Sequence, residues 1–247
     1  MRVLIITGTG TEIGKTVVTA AIASLAVAAG RRVAVLKPAQ AGLTPGELCD
    51  VEEAARLAGP ITCSELARYP EPLAPATGAR RSGLPPVHPQ HAAEQATRLA
   101  DSHDLVLIEG AGGLLVRYDP QGGTIADVPI ALRALGVEST VLIITTAGLG
   151  TLNTTALTAE ALRTRGLPLH GLVIGSWPAV PDLAARCNLT DLPAVANAPL
   201  LGALPERCAK HDRKAFLPMA RASLAPELGG TWSHPAFLAR HPEPDHI

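Results

Sequence analysis

Aromatic side chains are scarce in this chain: two Trp, two Tyr and two Phe among 247 residues, 2%. That scarcity removes the stacking platforms on which single-stranded nucleic acids are held. An excess of either charge is missing as well, since 21 Lys and Arg face 22 Asp and Glu for a formal net charge of −1. With no broad basic field to hold a phosphate backbone, no nucleic-acid partner is expected. The four cysteines, Cys49, Cys63, Cys187 and Cys208, lie far apart and form no CxxC pair. Reduced thiols are expected from that spacing, rather than a zinc site or a disulfide framework. Long apolar runs are lacking too. The most apolar stretch, Val17 to Ala29, is too short to span a bilayer and carries Thr19 and Ser24. Met1-Arg2 leads straight into an apolar run, which leaves no room for a signal peptide. A soluble, cytoplasmic protein with no membrane partner is the expectation.

What is present is an alternation. Short runs rich in Val, Leu and Ile fall at Arg2 to Thr7, Arg32 to Lys37, Leu105 to Glu109, Thr140 to Thr145 and Leu169 to Gly175. Such near-continuous runs suit parallel strands covered on both faces. Helical patterns lie at Lys15 to Ala29, Asp50 to Ala58, Pro89 to Ala100, Val128 to Leu135 and Thr151 to Arg165. Gly30, Gly136 and Gly166 fall where helices should end, and Asp127 reads as an N-cap. The alternation predicts an α/β fold, a doubly wound, mostly parallel sheet flanked by helices. Residues 1–225 read as one domain. Residues 70–89, rich in proline, read as an irregular loop over the active face. Residues 226–247, rich in Pro and His, read as a mobile tail, with His234, His241 and His246 solvated.

The chemistry begins at Gly8-Thr9-Gly10-Thr11-Glu12-Ile13-Gly14-Lys15-Thr16, between the first strand and the first helix. Backbone N–H groups of such a loop point inward and make an anion nest, and the helix adds its positive N-terminal end. Lys15 would reach the β- and γ-phosphates of a nucleoside triphosphate, and the Thr16 hydroxyl would hold Mg²⁺. Five residues separate Gly8 and Gly14, one more than in the usual phosphate-binding loop.

Ligands of open α/β sheets sit beyond the carboxyl ends of the strands. The second strand ends in Lys37-Pro38, a lysine that either faces an anion in a cleft or snorkels to solvent. The third ends in Glu109-Gly110-Ala111-Gly112-Gly113, which offers a carboxylate beside a loop of small residues. Glu109 suits a Mg²⁺ ligand, with Asp50 as a second carboxylate or as a helix N-cap. Gly148 to Asn153 opens another helix, whose N–H groups would suit a substrate carboxylate or be capped by Thr151 or Asn153.

These motifs, with Leu149-Gly150-Thr151-Leu152-Asn153 and Pro199 to Pro205, occur in the order found in dethiobiotin synthetases, which the chain resembles over roughly residues 1–220. The resemblance implies a homodimeric P-loop NTPase fold. It implies a Mg²⁺-dependent ligase that joins 7,8-diaminopelargonate and CO₂ (or bicarbonate) into a cyclic urea, with a nucleoside triphosphate as co-substrate. It casts Lys37, Lys15, Thr11 and Glu12 as catalytic, and Thr16, Asp50 and Glu109 as metal-binding. Gly8, Glu12, Ile13, Gly14, Lys15, Thr16, Val17, Gly112, Gly175, Ser176 and Pro205 would hold the nucleotide. Ala41, Gly150, Thr151, Leu152 and Asn153 would hold the substrate. Three positions depart from the family pattern. Gly10 replaces a common Asp, and Ala41 replaces a hydroxyl residue. Leu172 to Trp177 lacks the Asn that reads adenine in some members, so ATP and CTP both stay open. Two related P-loop groups are alternatives: ATPase switches that partition DNA or place division machinery, and amidating enzymes of cobalamin synthesis. The first usually carry an extra loop lysine and often a basic patch or helix. The second usually carry a glutaminase domain. None of these features stands in this sequence.

Overall fold

The computed structural model describes residues 2–43 and 46–243. The chain runs through β1 (Val3–Gly8), α1 (Lys15–Ala28), β2 (Val33–Ala41), α2 (Asp50–Ala58), β3 (Thr62–Tyr69), α3 (Pro75–Ser82), α4 (Pro89–Ser102) and β4 (Leu105–Glu109). It continues through α5 (Asp127–Ala134), β5 (Ser139–Thr145), α6 (Thr151–Thr164), β6 (Leu169–Trp177), α7 (Leu183–Ala196), β7 (Leu200–Pro205), α8 (Arg213–Ser223) and α9 (His234–Arg240). The strands form one sheet in the order β3-β2-β4-β1-β5-β6-β7, every neighbouring pair parallel. This is the doubly wound α/β fold expected. The order reverses beside β1, since β4 returns between β2 and β1 while β5 to β7 extend the other side. Such a reversal opens a crevice beyond the carboxyl ends of the strands.

Residue chemistry explains the layering. β1 and β4 are buried along their whole length, as strands covered on both faces must be. Each fully buried Leu or Ile contributes roughly 1.5–3 kcal/mol. The helices fall into separate sets: α1 packs with α2 and α8, α4 with α5, and α6 with α7. β3, at one edge, is mostly accessible and carries a Glu65–Arg68 pair at 2.9 Å, and charge on an edge discourages pairing with another chain. No described helix is long and apolar enough to cross a membrane.

Three expectations are corrected. Residues 70–89 are not irregular throughout, for α3 occupies Pro75–Ser82. Its Pro75 sits in the first turn, where a missing N–H costs nothing, so this proline starts a helix. Asp127 does not cap α5. Ala126 holds that position, and the Asp127 carboxylate turns back to accept the Thr124 N–H at 2.7 Å and its hydroxyl at 2.8 Å.

The third correction concerns the carboxyl-terminal segment, which is packed from Pro226 to Glu243. Trp232 and Phe237 are buried, and Phe237 meets Trp177 of β6 edge-on with ring centroids 5.1 Å apart. Burying large aromatic surface outweighs the ordering of a short segment. His234 Nε2 lies 2.9 Å from the Leu189 carbonyl oxygen, and His241 packs on Phe237. His246 lies outside the described residues.

Candidate active site

The loop from β1 to α1 is shaped by backbone restraints. The Thr9 N–H donates to the Ile144 carbonyl at 3.0 Å, which ties the loop to β5. Gly14 has φ +94°, a left-handed conformation that glycine adopts cheaply, and a Cβ there would run into the Gly175 backbone. A Cβ at Gly175 would in turn overlap the Ile13 carbonyl oxygen. Loop and β6 therefore meet backbone to backbone at two glycines. Glu12 also takes a positive φ, +56°, a strained state for a residue with a side chain that costs on the order of 1–3 kcal/mol.

Lys15 opens α1 and curls back over the loop, its ammonium donating to the Gly10 carbonyl at 2.7 Å. Burial first, and the neighbouring Lys37 charge second, lower its pKa to about 8. Lys37 lies midway along β2, which continues to Ala41 instead of ending at Lys37-Pro38 as expected, and it is only 4% exposed, so it does not snorkel. Its ammonium pairs with Asp50, with Glu109 at 3.0 Å, and donates to the Gly110 carbonyl at 3.3 Å. Burial alone would lower the Lys37 pKa, but the two carboxylates win and hold it above its ordinary value. Burial likewise pushes Asp50 up, and the Lys37 charge and hydrogen bond pull it below the usual carboxylate range. Asp50 does not cap α2, because Cys49 stands at that position.

Glu109 is 1% exposed and its two oxygens accept from two hydroxyls, Thr16 and Thr19, each at 2.8 Å. Thr16, Asp50 and Glu109 thus place oxygen donors around one ammonium group. A hydroxyl and two carboxylates suit a hard cation such as Mg²⁺. They are too few for an all-protein cage, as expected of a cation that keeps waters and phosphate oxygens.

Thr11, Glu12, Gly14, Lys15, Thr16, Val17, Lys37, Ala41, Asp50, Glu109 and Gly112 line one cleft of about 680 Å³. Gly8 ends β1 just behind it, and Ile13 packs on the core. Pro72 to Pro75 close one side, so the proline-rich stretch borders this cleft. Gly175, Ser176 and Pro205 gather at the neighbouring ends of β6 and β7, where Trp177 pairs with Pro205. Gly150 to Asn153 are not among the residues lining this cleft. Gly150 caps α6 and Thr151 donates to the Thr146 carbonyl at 2.8 Å, so neither Thr151 nor Asn153 is the cap. Two other hollows lie near Arg133, Pro168, Arg2 and Asp101, at the amino ends of the strands, away from the charged cluster.

Sequence reasoning missed three residues beside the cluster. Thr19 follows Thr16 by three positions on α1, a spacing that shares a helix face and could have identified it. Gln40 is buried, and its side-chain oxygen accepts the Asp50 N–H at 3.1 Å. Tyr118, also buried, accepts the Ala111 N–H at 2.7 Å, and no local pattern marks it.

Comparison with known proteins places the chain in a family and matches its fold. The sequence model of a family described as an AAA domain matches residues 2–210. The ATP-dependent dethiobiotin synthetase BioD of Streptomyces coelicolor is 61% identical over 241 residues, 98% of this chain and 99% of its own length. The protein of the same name from Saccharopolyspora erythraea is 65% identical over 233 residues, 94% of this chain and all of its own. Among solved structures, the Pyrococcus furiosus cell division ATPase MinD superposes with a TM-score of 0.52 at 19% identity, covering 89% of this chain and 96% of its own. A ParA family ATPase from Chlorobium tepidum gives 0.52 at 13%, covering 89% and 87%. At those identities the likeness is one of fold.

Proposed function

The chain belongs to the dethiobiotin synthetase family, ATP-dependent enzymes of biotin synthesis, and on that premise we propose how its residues perform the ring closure. One amine of 7,8-diaminopelargonate attacks CO₂, forming an N–C bond and losing a proton to give a carbamate. A carbamate oxygen then takes the γ-phosphoryl group, breaking its bond to the β-phosphate oxygen and releasing the diphosphate. The second amine attacks the carbamoyl carbon; the C–O bond to phosphate breaks, phosphate and a proton leave, and the cyclic urea closes. Such transfer rests on positioning and on neutralising charge.

The observation that carries this reading is the buried Lys37 ammonium, held beside the phosphate loop by Asp50 and Glu109. Lys37 offsets charge on the carbamate and on the transferring phosphoryl group, while Lys15 turns from Gly10 to the phosphates. Thr11 and Glu12 cover substrate and phosphates. Thr16, Asp50 and Glu109 would hold Mg²⁺, which when bound neutralises phosphate oxygens. Gly8, Ile13, Gly14, Val17 and Gly112 cradle the phosphates, and Gly175, Ser176 and Pro205 face the base. Ala41 borders the carbamate.

The start of α6, Gly150 to Asn153, holds the substrate's tail carboxylate at the interface of a homodimer. We place the enzyme in the cytoplasm.

The test is incubation of the protein with 7,8-diaminopelargonate, bicarbonate and Mg²⁺, with ATP and CTP in parallel arms. Mass spectrometry should find the cyclic urea. Its absence with folded, nucleotide-binding protein overturns the reading, and the ratio of the two rates gives the base preference.

A further inference from the structure

The run Glu109-Gly110-Ala111-Gly112-Gly113 carries a carboxylate of the charged cluster on three glycines, the least restrained backbone a sequence can offer. Something must hold it. At its start the Gly110 N–H donates to the Ile6 carbonyl at 2.9 Å, which fixes the preceding peptide to β1. The next peptide unit, between Gly110 and Ala111, is held from both ends. Its carbonyl accepts from Lys37 Nζ at 3.3 Å, and its N–H donates to the Tyr118 hydroxyl oxygen at 2.7 Å. In a trans peptide those two groups point in opposite directions in one plane, so whatever fixes the N–H also aims the carbonyl.

We infer that Tyr118 is a positioning residue for the reaction: its hydroxyl locks the Gly110–Ala111 peptide and thereby aims the carbonyl that holds Lys37. Tyr118 does not line the cleft, so it acts through that peptide rather than on substrate. It is itself rigidly mounted. Its own N–H donates to the Gly123 carbonyl at 2.7 Å, and the adjoining Asp119 carboxylate accepts the Gly123 N–H at 2.8 Å and meets His88 Nδ1 at 2.8 Å. Burial, the leading influence, pushes the phenol's pKa up, so a neutral hydroxyl stands behind the Lys37 cluster. Removing the hydroxyl leaves the Ala111 N–H without this partner and frees the peptide to rotate about the glycine. Lys37 then loses one of its three anchors.

The inference rests on the proposed role of Lys37, and a double-mutant cycle tests it. Single-turnover product formation is followed for wild type, Tyr118→Phe, Lys37→Ala and the double variant, with nucleotide affinity measured alongside. Tyr118→Phe should lower the chemical rate roughly tenfold, the worth of one well-placed hydrogen bond, with nucleotide affinity unchanged. In the Lys37→Ala background the same change should cost nothing further. An unchanged rate in the single variant, or the same loss in both backgrounds, overturns the inference, the latter because a merely structural role would be felt in both.

Hydrogen exchange of the Ala111 N–H stands apart from activity. It should be slow in wild type and accelerate in Tyr118→Phe, and rapid exchange in wild type also overturns the inference. Should wild type form no cyclic urea at all, the proposed function fails while the exchange experiment still decides whether Tyr118 locks the peptide.

Discussion

The rim of the sheet at the strand carboxyl ends has two halves built from opposite materials. Around β1, β2 and β4 the side chains are charged or hydroxylic and buried or half-buried, and the ionic groups are partnered: Lys37 with Asp50 and Glu109, Glu109 with Thr16 and Thr19. At β6 and β7 the packing is aromatic, with Trp177, Trp232 and Phe237 gathered in one cluster. That cluster takes three of the six aromatic residues in the whole chain. The charged half can change partners when an anion arrives, because its lysines are satisfied by groups that a phosphate can replace. The aromatic half has no such exchange available and serves to hold the end of β6, where Gly175 meets the phosphate loop. On the proposed mechanism one half does the chemistry, and the other keeps its frame still.

The largest effect should come from breaking the charged half. Lys37→Ala should lower turnover by roughly 10²–10³-fold, the scale of removing one group aimed at developing charge. Nucleotide binding should survive; calorimetric titration beside the product assay separates the two. Unchanged turnover would take Lys37 out of the mechanism.

Next, Phe237→Ala should strike the aromatic half, costing about 3 kcal/mol of stability by leaving a cavity against Trp177 and Trp232. Denaturant unfolding measures that loss. The chemical rate of the remaining folded protein should change little. A truncation before Pro226, harmless if the segment were a mobile tail, should destabilise at least as much, since it removes Trp232 and Phe237 together. If Phe237→Ala slows chemistry as strongly as Lys37→Ala, the two halves are not separable in this way.

The smallest effect concerns Lys15, whose pKa near 8 in the free protein leaves it increasingly neutral as pH rises above that value. Phosphate favours the charged form, so binding above pH 8 must include uptake of a proton. Affinity for nucleotide in EDTA should be flat from pH 6.5 to 7.5. It should then weaken by up to about tenfold per unit above pH 8, the linkage expected of one group. Lys37, with its pKa raised by two carboxylates, does not titrate in that window. Affinity independent of pH up to pH 9.5 would show that Lys15 is already an ordinary lysine.

How legible the molecule was follows from how local each signal is. β1 and β4 could be read directly, because strands buried on both faces must be apolar at every position. β3 could not, since Thr62, Glu65 and Arg68 on an edge carry no apolar pattern. The prolines of residues 70–89 misled because a proline breaks a helix interior but begins a helix when it falls in the first turn, as at Pro75. Trp232 and Phe237 sit among Gly, Pro and His, and only the surface of β6 and α7 makes them core residues.

The sequence alone determined the local parts of this protein. The α/β alternation is written in runs of Val, Leu and Ile. The phosphate loop is written in its glycines and in Lys15-Thr16, and membership of a family is written in the order of its motifs. Each needs only neighbours in the chain, or a backbone conformation that one residue type permits. The tertiary structure decided what depends on distance in space. It brought Lys37 between Asp50 and Glu109 rather than out to solvent. It set Gly175 against the backbone of Ile13 and Gly14, folded residues 226–243 onto Trp177, and stood Tyr118 behind the Ala111 N–H. Charge, close packing and hydrogen bonds act over a few ångströms, and the chain order of these residues says nothing about which of them come that close.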